Sequence, residues 1–242
     1  MNDTLKICLL IGVVLIGAFI AYIFRNKKIE TLDWAMSFSG AFIFGVLFIE
    51  TFPFVYSHHF HGFLNPSICI LLGFLIQIFL DQISMGVEHG HMHGFHGKNV
   101  NQKAITVLLG LSVHSFIEGL PLSESITHNH QHGLFYSIIL HKATAAFVIA
   151  IILFKSKLKK NLILILIALF AIMTPMGLMT STFISFNQNS IVLINALVAG
   201  SLLHIATTIL FEIDNQNNHR LSLIKIGSIL FGLVVAYLSI MH

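Results

Sequence analysis

In the stretch 111–121, LSVHSFIEGLP, the residues His114, Ser115 and Glu118 stand inside a long apolar segment. An ionisable side chain in such a segment is costly and marks a functional site by default. His114 and Glu118 are four residues apart, so a helix stacks an imidazole above a carboxylate on one face. That pair can hold one divalent ion. A second apolar segment carries His141 and Lys142, and with His141 as third ligand the set becomes two imidazoles and a carboxylate. This set suits Zn²⁺, with Fe²⁺, Co²⁺, Ni²⁺ and Cd²⁺ as chemical rivals. The remaining coordination positions fall to water or Ser115, and an open shell suits conduction, which needs binding weak enough to leave.

Lys142 pulls the other way. A buried ammonium repels a divalent ion, which argues against a second metal immediately beside the first. It can pair with Glu118 or extend along a polar path toward water. The competing reading is therefore a buried ion pair of Glu118 and Lys142, with two hydrogen-bonded histidines and no metal.

Other polar groups extend the line. Glu50 and His204 are the deepest and are the expected path residues, with Asp81 and Glu212 nearer a membrane face. Each taken alone reads better as a helix-end or interhelical hydrogen-bonding group than as a ligand. Met173, Met176 and Met179 are ordinary core fillers before they are a soft-metal path. Pro53, Pro121 and Pro175 interrupt three apolar segments, and Pro121 lies close enough to Glu118 to free a carbonyl near the site. Asn195, Ala199, Gly200 and Ser201 are small or polar residues that allow close helix approach.

The elements that hold these groups follow from composition. With 56% hydrophobic and 10% charged residues, the chain lies outside the range of soluble globular domains. A span needs about 20 apolar residues. Eight segments qualify, at 5–24, 32–56, 64–85, 103–126, 133–154, 162–186, 191–212 and 221–240. The first is expected to be a true helix and not a signal peptide, because it fills a whole span, ends on Arg25, Lys27 and Lys28, and lacks a small-residue cleavage site. Cys8 and Cys69 fall in different spans, which argues against a structural disulfide. The expected fold class is an all-α integral membrane bundle of eight transmembrane helices, one polytopic transporter domain over 1–242.

Lys and Arg are confined to alternate loops. Arg25, Lys27 and Lys28 follow span 1, and Lys98 and Lys103 close the loop after span 3. Lys155, Lys157, Lys159 and Lys160 follow span 5, and Arg220 and Lys225 lie at the boundary of spans 7 and 8. The loops after spans 2, 4 and 6 have none. By the positive-inside rule the charged loops are cytoplasmic and both termini lie outside. The expected location is the cell membrane, plasma or bacterial inner. A net charge of +3 carried in short loops speaks of topology and not of nucleic acid, and no nucleic-acid partner is expected.

Histidines recur in the loops. His58, His59 and His61 follow span 2, and His128, His130 and His132 follow span 4, both outside. His89, His91, His93 and His96 fall in the cytoplasmic loop at about 86–102. Histidine-rich tracts are compositional signals for metal binding, and these are expected to capture metal at both mouths of a path. A single such tract would read as tolerated polar loop residues.

HSFIEGLPL in span 4 and LHKATAAFVIA in span 5 resemble the paired signature helices of the ZIP (Zrt/Irt-like) family of zinc and iron permeases. TPMGLMTST at 174–182 is similar to that family's sixth helix and NALVAGSLLHIATTILFEI at 195–213 to its seventh. The resemblance implies inverted repeats of helices 1–3 and 6–8 around helices 4 and 5, and alternating access by rigid-body movement. It implies uptake of divalent metal into the cytoplasm, with His114, Glu118 and His141 at the ligand positions. Many members hold a second metal through carboxylates at the positions of Lys142 and Ala145. Their absence here resembles the branch with a His-Lys pair in helix 5, which implies a single-metal site.

The expected function is transport of a divalent metal, zinc first, with Zn²⁺, Fe²⁺ or Cd²⁺ as substrate and no permanent cofactor. The expected partners are metal ions and the lipid bilayer, a homodimer being left open. Two rivals remain: an intramembrane zinc hydrolase in which the same cluster activates water, and a metal sensor that transports nothing. The hydrolase would call for a further catalytic carboxylate, and none is compelling, so the chain is not expected to be an enzyme.

Overall fold

The computed structural model of the protein describes residues 1–25, 33–57, 65–86, 99–124, 126, 132–184, 186–211 and 223–240. Among these the chain is helical apart from short turns and connections, with no strand. Eight helices are long and apolar enough to cross a membrane, and the protein is a multi-pass membrane protein. Helix is the outcome that lipid imposes, because it satisfies every backbone polar group within the segment.

In chain order the helices are α1 (Asp3–Phe24), α2 (Asp33–Val46), α3 (Phe52–Ser57), α4 (Pro66–Ser84), α5 (Val100–Gly119), α6 (His132–Lys155), α7 (Lys160–Phe183), α8 (Gln188–Phe211) and α9 (Leu223–Ile240). A π-helical turn, Leu47–Thr51, joins α2 to α3 into one span. Pro53 explains it: proline has no N–H to give and its ring crowds the preceding turn, so the ladder widens there. Asn2 caps α1 by accepting from Leu5 N at 2.9 Å, and Asn65 caps α4 by accepting from Ser67 N, with Pro66 at the first helical position. α4 ends on Met85 and Gly86, both with positive φ (60° and 68°). Span 4 stops being α-helical at Gly119 and finishes as a 3₁₀ turn, Leu120–Leu122. Sequence had carried that helix to 126; Pro121, which lacks the N–H to continue, ends it earlier.

Burial separates centre from rim. Of the window that crosses the membrane, 72% is buried in α6 against 11% in α9, so α6 is the central helix and α9 faces lipid. Phe19, Leu71, Phe79 and Phe231 point outward, as expected where the solvent is hydrocarbon. Packing divides the helices into two groups. α1, α5, α6 and α7 form one, through α1 on α6, α5 on α7 and α1 on α7; α2, α4, α8 and α9 form the other, through α4 on α8, α2 on α9 and α2 on α8. Exchanging spans 1–3 with 6–8, and 4 with 5, turns α1 on α6 into α7 on α5, and α4 on α8 into α9 on α2. That is the pairing inverted repeats require. Each group therefore takes members from both repeats.

Glycines set the closest approaches inside each group. A Cβ on Gly177 would run into the Phe116 carbonyl and one on Gly119 into that of Thr174, which brings α5 and α7 together. Gly73 and Gly200 do the same for α4 and α8, against the carbonyls of Leu197 and Ile70. The two groups meet mainly along α4 with α5 and α2 with α6.

Candidate metal centre

The cluster forms where α5 and α6 face each other beneath the 3₁₀ turn. His114 and Glu118 lie one turn apart on α5, with Nε2 2.8 Å from Glu118 Oε1. His141 comes from α6, its ring 5.9 Å from that of His114 between centroids and nearly perpendicular to it. One ligand atom from each of the three lies within 4.8 Å of the others, and among the described residues this is the group able to hold a metal. All three are buried, Glu118 completely. Beyond the His114 contact, neither Glu118 oxygen accepts a hydrogen bond from a described residue. A fully buried carboxylate left in that condition is expensive, and a cation held between it and the two imidazoles would offset that cost.

The surroundings are polar on two sides. Lys142, next to His141, is buried; its ammonium donates to Thr174 Oγ1 on α7 and lies 4.5 Å from the Phe170 ring centroid. Opposite, Ser201 Oγ on α8 lies 3.4 Å from His114 Nδ1 and donates to Gln77 Oε1 on α4 at 2.8 Å. Ser115 is buried on α5 beside its ligand neighbour.

The path candidates separate. His204 pairs with Asp81 at 3.7 Å, and Phe74 meets its ring edge-on at 5.1 Å. His204 follows Ser201, and Asp81 follows Gln77, by one helical turn, so a polar ladder runs along α4 and α8 away from the cluster. Glu50 is elsewhere. Its carboxylate accepts from Gly133 N at 3.0 Å and Leu134 N at 3.2 Å, capping α6. Eight residues separate Gly133 from His141, about 12 Å along the helix.

Of the loop histidines, His132 opens α6 and is exposed. His58, His59, His61, His89, His91, His93, His96, His128 and His130, together with Glu212, lie outside the described residues. Cys8 and Cys69 are both free thiols.

Sequence reasoning missed two features. Lys6 is buried and donates to the Leu122 carbonyl at 2.7 Å, while Asp3 accepts from Glu124 N and from Thr182 Oγ1. These bonds tie the start of α1 to the ends of α5 and α7. Gln77 also went unread, since one glutamine in an apolar span carries no spacing signal.

Fold and cluster together define a multi-pass helical membrane protein with a His₂Glu set buried between α5 and α6. The model of the family described as ZIP Zinc transporter matches residues 86–239. The chain belongs to the ZIP family. It is 32% identical over 128 residues to Zinc transporter ZIP9 of Micropogonias undulatus, covering 51% of this chain and 40% of that protein. It is 28% identical over 166 residues to Zinc transporter ZIP1 of Plasmodium falciparum (62% and 46%), and 29% over 208 residues to Zinc transporter ZIP9-A of Xenopus laevis (75% and 66%). The first two alignments thus span less than half the length of those relatives.

Proposed function

We propose that the protein carries a divalent metal ion, zinc in the first place, across the membrane into the cytoplasm through a single-ion site made by His114, Glu118 and His141. The observation that carries this is the burial of two imidazoles and a carboxylate whose ligand atoms lie within 4.8 Å of one another, on two facing helices of a ZIP-family fold. Three protein ligands leave positions open, which lets an ion enter and leave. Lys142 stands beside the site as a fixed cation, which favours one ion over two. Zinc is favoured by the ligand set and by the names of the relatives above.

Inward movement is what the family resemblance implies, and the charged loops support an orientation with both termini outside. Alternating access is served by relative movement of the two helix groups, whose internal contacts are close and glycine-mediated. The ladder of Gln77, Ser201, Asp81 and His204 offers a route from the cluster toward the ends of α4 and α8. The loop histidines, His132 among them, would then raise the local metal concentration at the mouths.

The test is zinc uptake by sealed proteoliposomes loaded with a zinc-sensitive dye, comparing the wild type with Glu118→Ala and His141→Ala. We expect both variants to fall to the background of empty liposomes while keeping the wild-type helical content. Stoichiometric zinc binding by the wild type without flux, over a range of pH and membrane potential, would overturn transport.

A further inference from the structure

The imidazole of His114 has two nitrogens, and the cluster uses one. Nε2 faces Glu118 Oε1, while Nδ1 faces away toward Ser201 Oγ. The hydrogen of that hydroxyl is committed elsewhere, to Gln77 Oε1. A hydroxyl has one hydrogen and two lone pairs, so toward His114 it accepts. Nδ1 then carries a hydrogen, and the neutral ring has its lone pair at Nε2, where the ion would sit.

Several buried or half-buried hydroxyls among the described residues return their hydrogen to a carbonyl of their own helix: Ser84 to Asp81, Ser137 to Leu134, Thr207 to Leu203 and Thr208 to His204. Ser201 instead donates across to α4. It can do so because Gly200 and Gly73 bring α8 and α4 to backbone contact, and because Gln77, fully buried, presents its amide oxygen there. The next polar pair along this interface, Asp81 with His204, lies one helical turn further on.

We propose that Ser201, aligned by Gln77, is the positioning partner of His114, holding the ring in the Nδ1–H tautomer with Nε2 open to the metal. This rests on the metal reading given above. A ligating histidine whose second nitrogen is held in this way has a fixed ring orientation, and loss of such a partner lowers metal affinity about ten- to a hundredfold. Both partners belong to the α2, α4, α8, α9 group, whereas His114 belongs to the other.

The experiment uses the full chain in detergent micelles, with Zn²⁺ competition for affinity, Co²⁺ as the optical probe and ¹⁵N-histidine NMR for the tautomer. Ser201→Ala is expected to raise the zinc Kd about ten- to a hundredfold and to change the Co²⁺ bands. Gln77→Met releases the hydroxyl to turn its hydrogen onto Nδ1, favouring the tautomer that cannot bind through Nε2. It is expected to raise the Kd and to shift the His114 nitrogen signals, although Gln77 is no ligand. If Ser201→Ala does not fold, Gln77→Met decides alone. Wild-type affinity, cobalt spectrum and nitrogen shifts in the folded variants would overturn the proposal. Failure of the wild type to bind, or full binding by Glu118→Ala, would instead overturn the function proposed above.

Discussion

Lys142 shows what a buried charge demands at the scale of one residue. Only 1% of it is exposed, and two partners one turn apart on α7, the hydroxyl of Thr174 and the ring face of Phe170, receive its ammonium. Replacing Thr174 by valine keeps the shape and removes the acceptor. Hydrogen bonds to charged groups contribute about 1.5–3 kcal/mol, so Thr174→Val should lose stability of that order and unfold at a lower temperature in detergent, while Thr174→Ser should not. Equal unfolding temperatures would mean that Thr174 does not hold the lysine. Sequence exposed His114, Glu118 and His141 because ionisable groups in apolar spans are few and two of them share a helical spacing. It could not expose the Thr174 contact or the Gln77–Ser201 bond, since each joins helices far apart in the chain and threonine, serine and glutamine are unremarkable in a span. Glu50 drew notice for the same reason as the cluster did, and the structure gives its carboxylate a helix-capping role about 12 Å away.

At the scale of elements, apolar length is the strongest signal a sequence carries, and the eight spans follow from it. Their ends agree with the structure to within three residues except at the close of span 4, where Pro121 intervenes. The grouping of helices was not legible, because it depends on which faces meet, and Pro53 marked an interruption of its span without giving the form of the turn at Leu47–Thr51. The glycines decide much of that meeting. On Gly200 a methyl group would enter the Ile70 carbonyl of α4, whereas on Gly227 it meets nothing within 4 Å. Gly200→Ala must push α8 off α4, and overpacking of this kind costs about 1–3 kcal/mol. Gly227→Ala removes backbone freedom at no steric cost and should be neutral or stabilising by about 0.5–1 kcal/mol. Thermal unfolding of both variants in the same micelles checks the contrast. Similar losses in the two would show that close approach of α4 and α8 is not what Gly200 secures.

At the scale of the whole molecule, the two helix groups must hold together and still be able to shift. Among the contacts across their boundary, the capping of α6 by Glu50 is the most specific. The carboxylate comes from the π turn between α2 and α3, in one group, and the open N–H groups of Gly133 and Leu134 belong to the other. Gly133 is matched to its partner, since a Cβ there would strike Glu50 Oε2. A cap of this kind contributes about 0.5–2 kcal/mol, and it does so only in arrangements of the groups that keep the carboxylate on the helix end. Loss of the cap therefore disfavours the present arrangement relative to any other. Glu50→Ala removes the acceptor and Gly133→Ala displaces it, so both break one interaction. Each single variant should lower the unfolding temperature and alter zinc flux in the same direction, and the double variant should go no further than the more severe single one, because residues in direct contact are not additive. A double variant whose losses equal the sum of the two singles would mean that Glu50 and Gly133 act separately, and the boundary would then be held by apolar packing of α2 on α6 and α4 on α5.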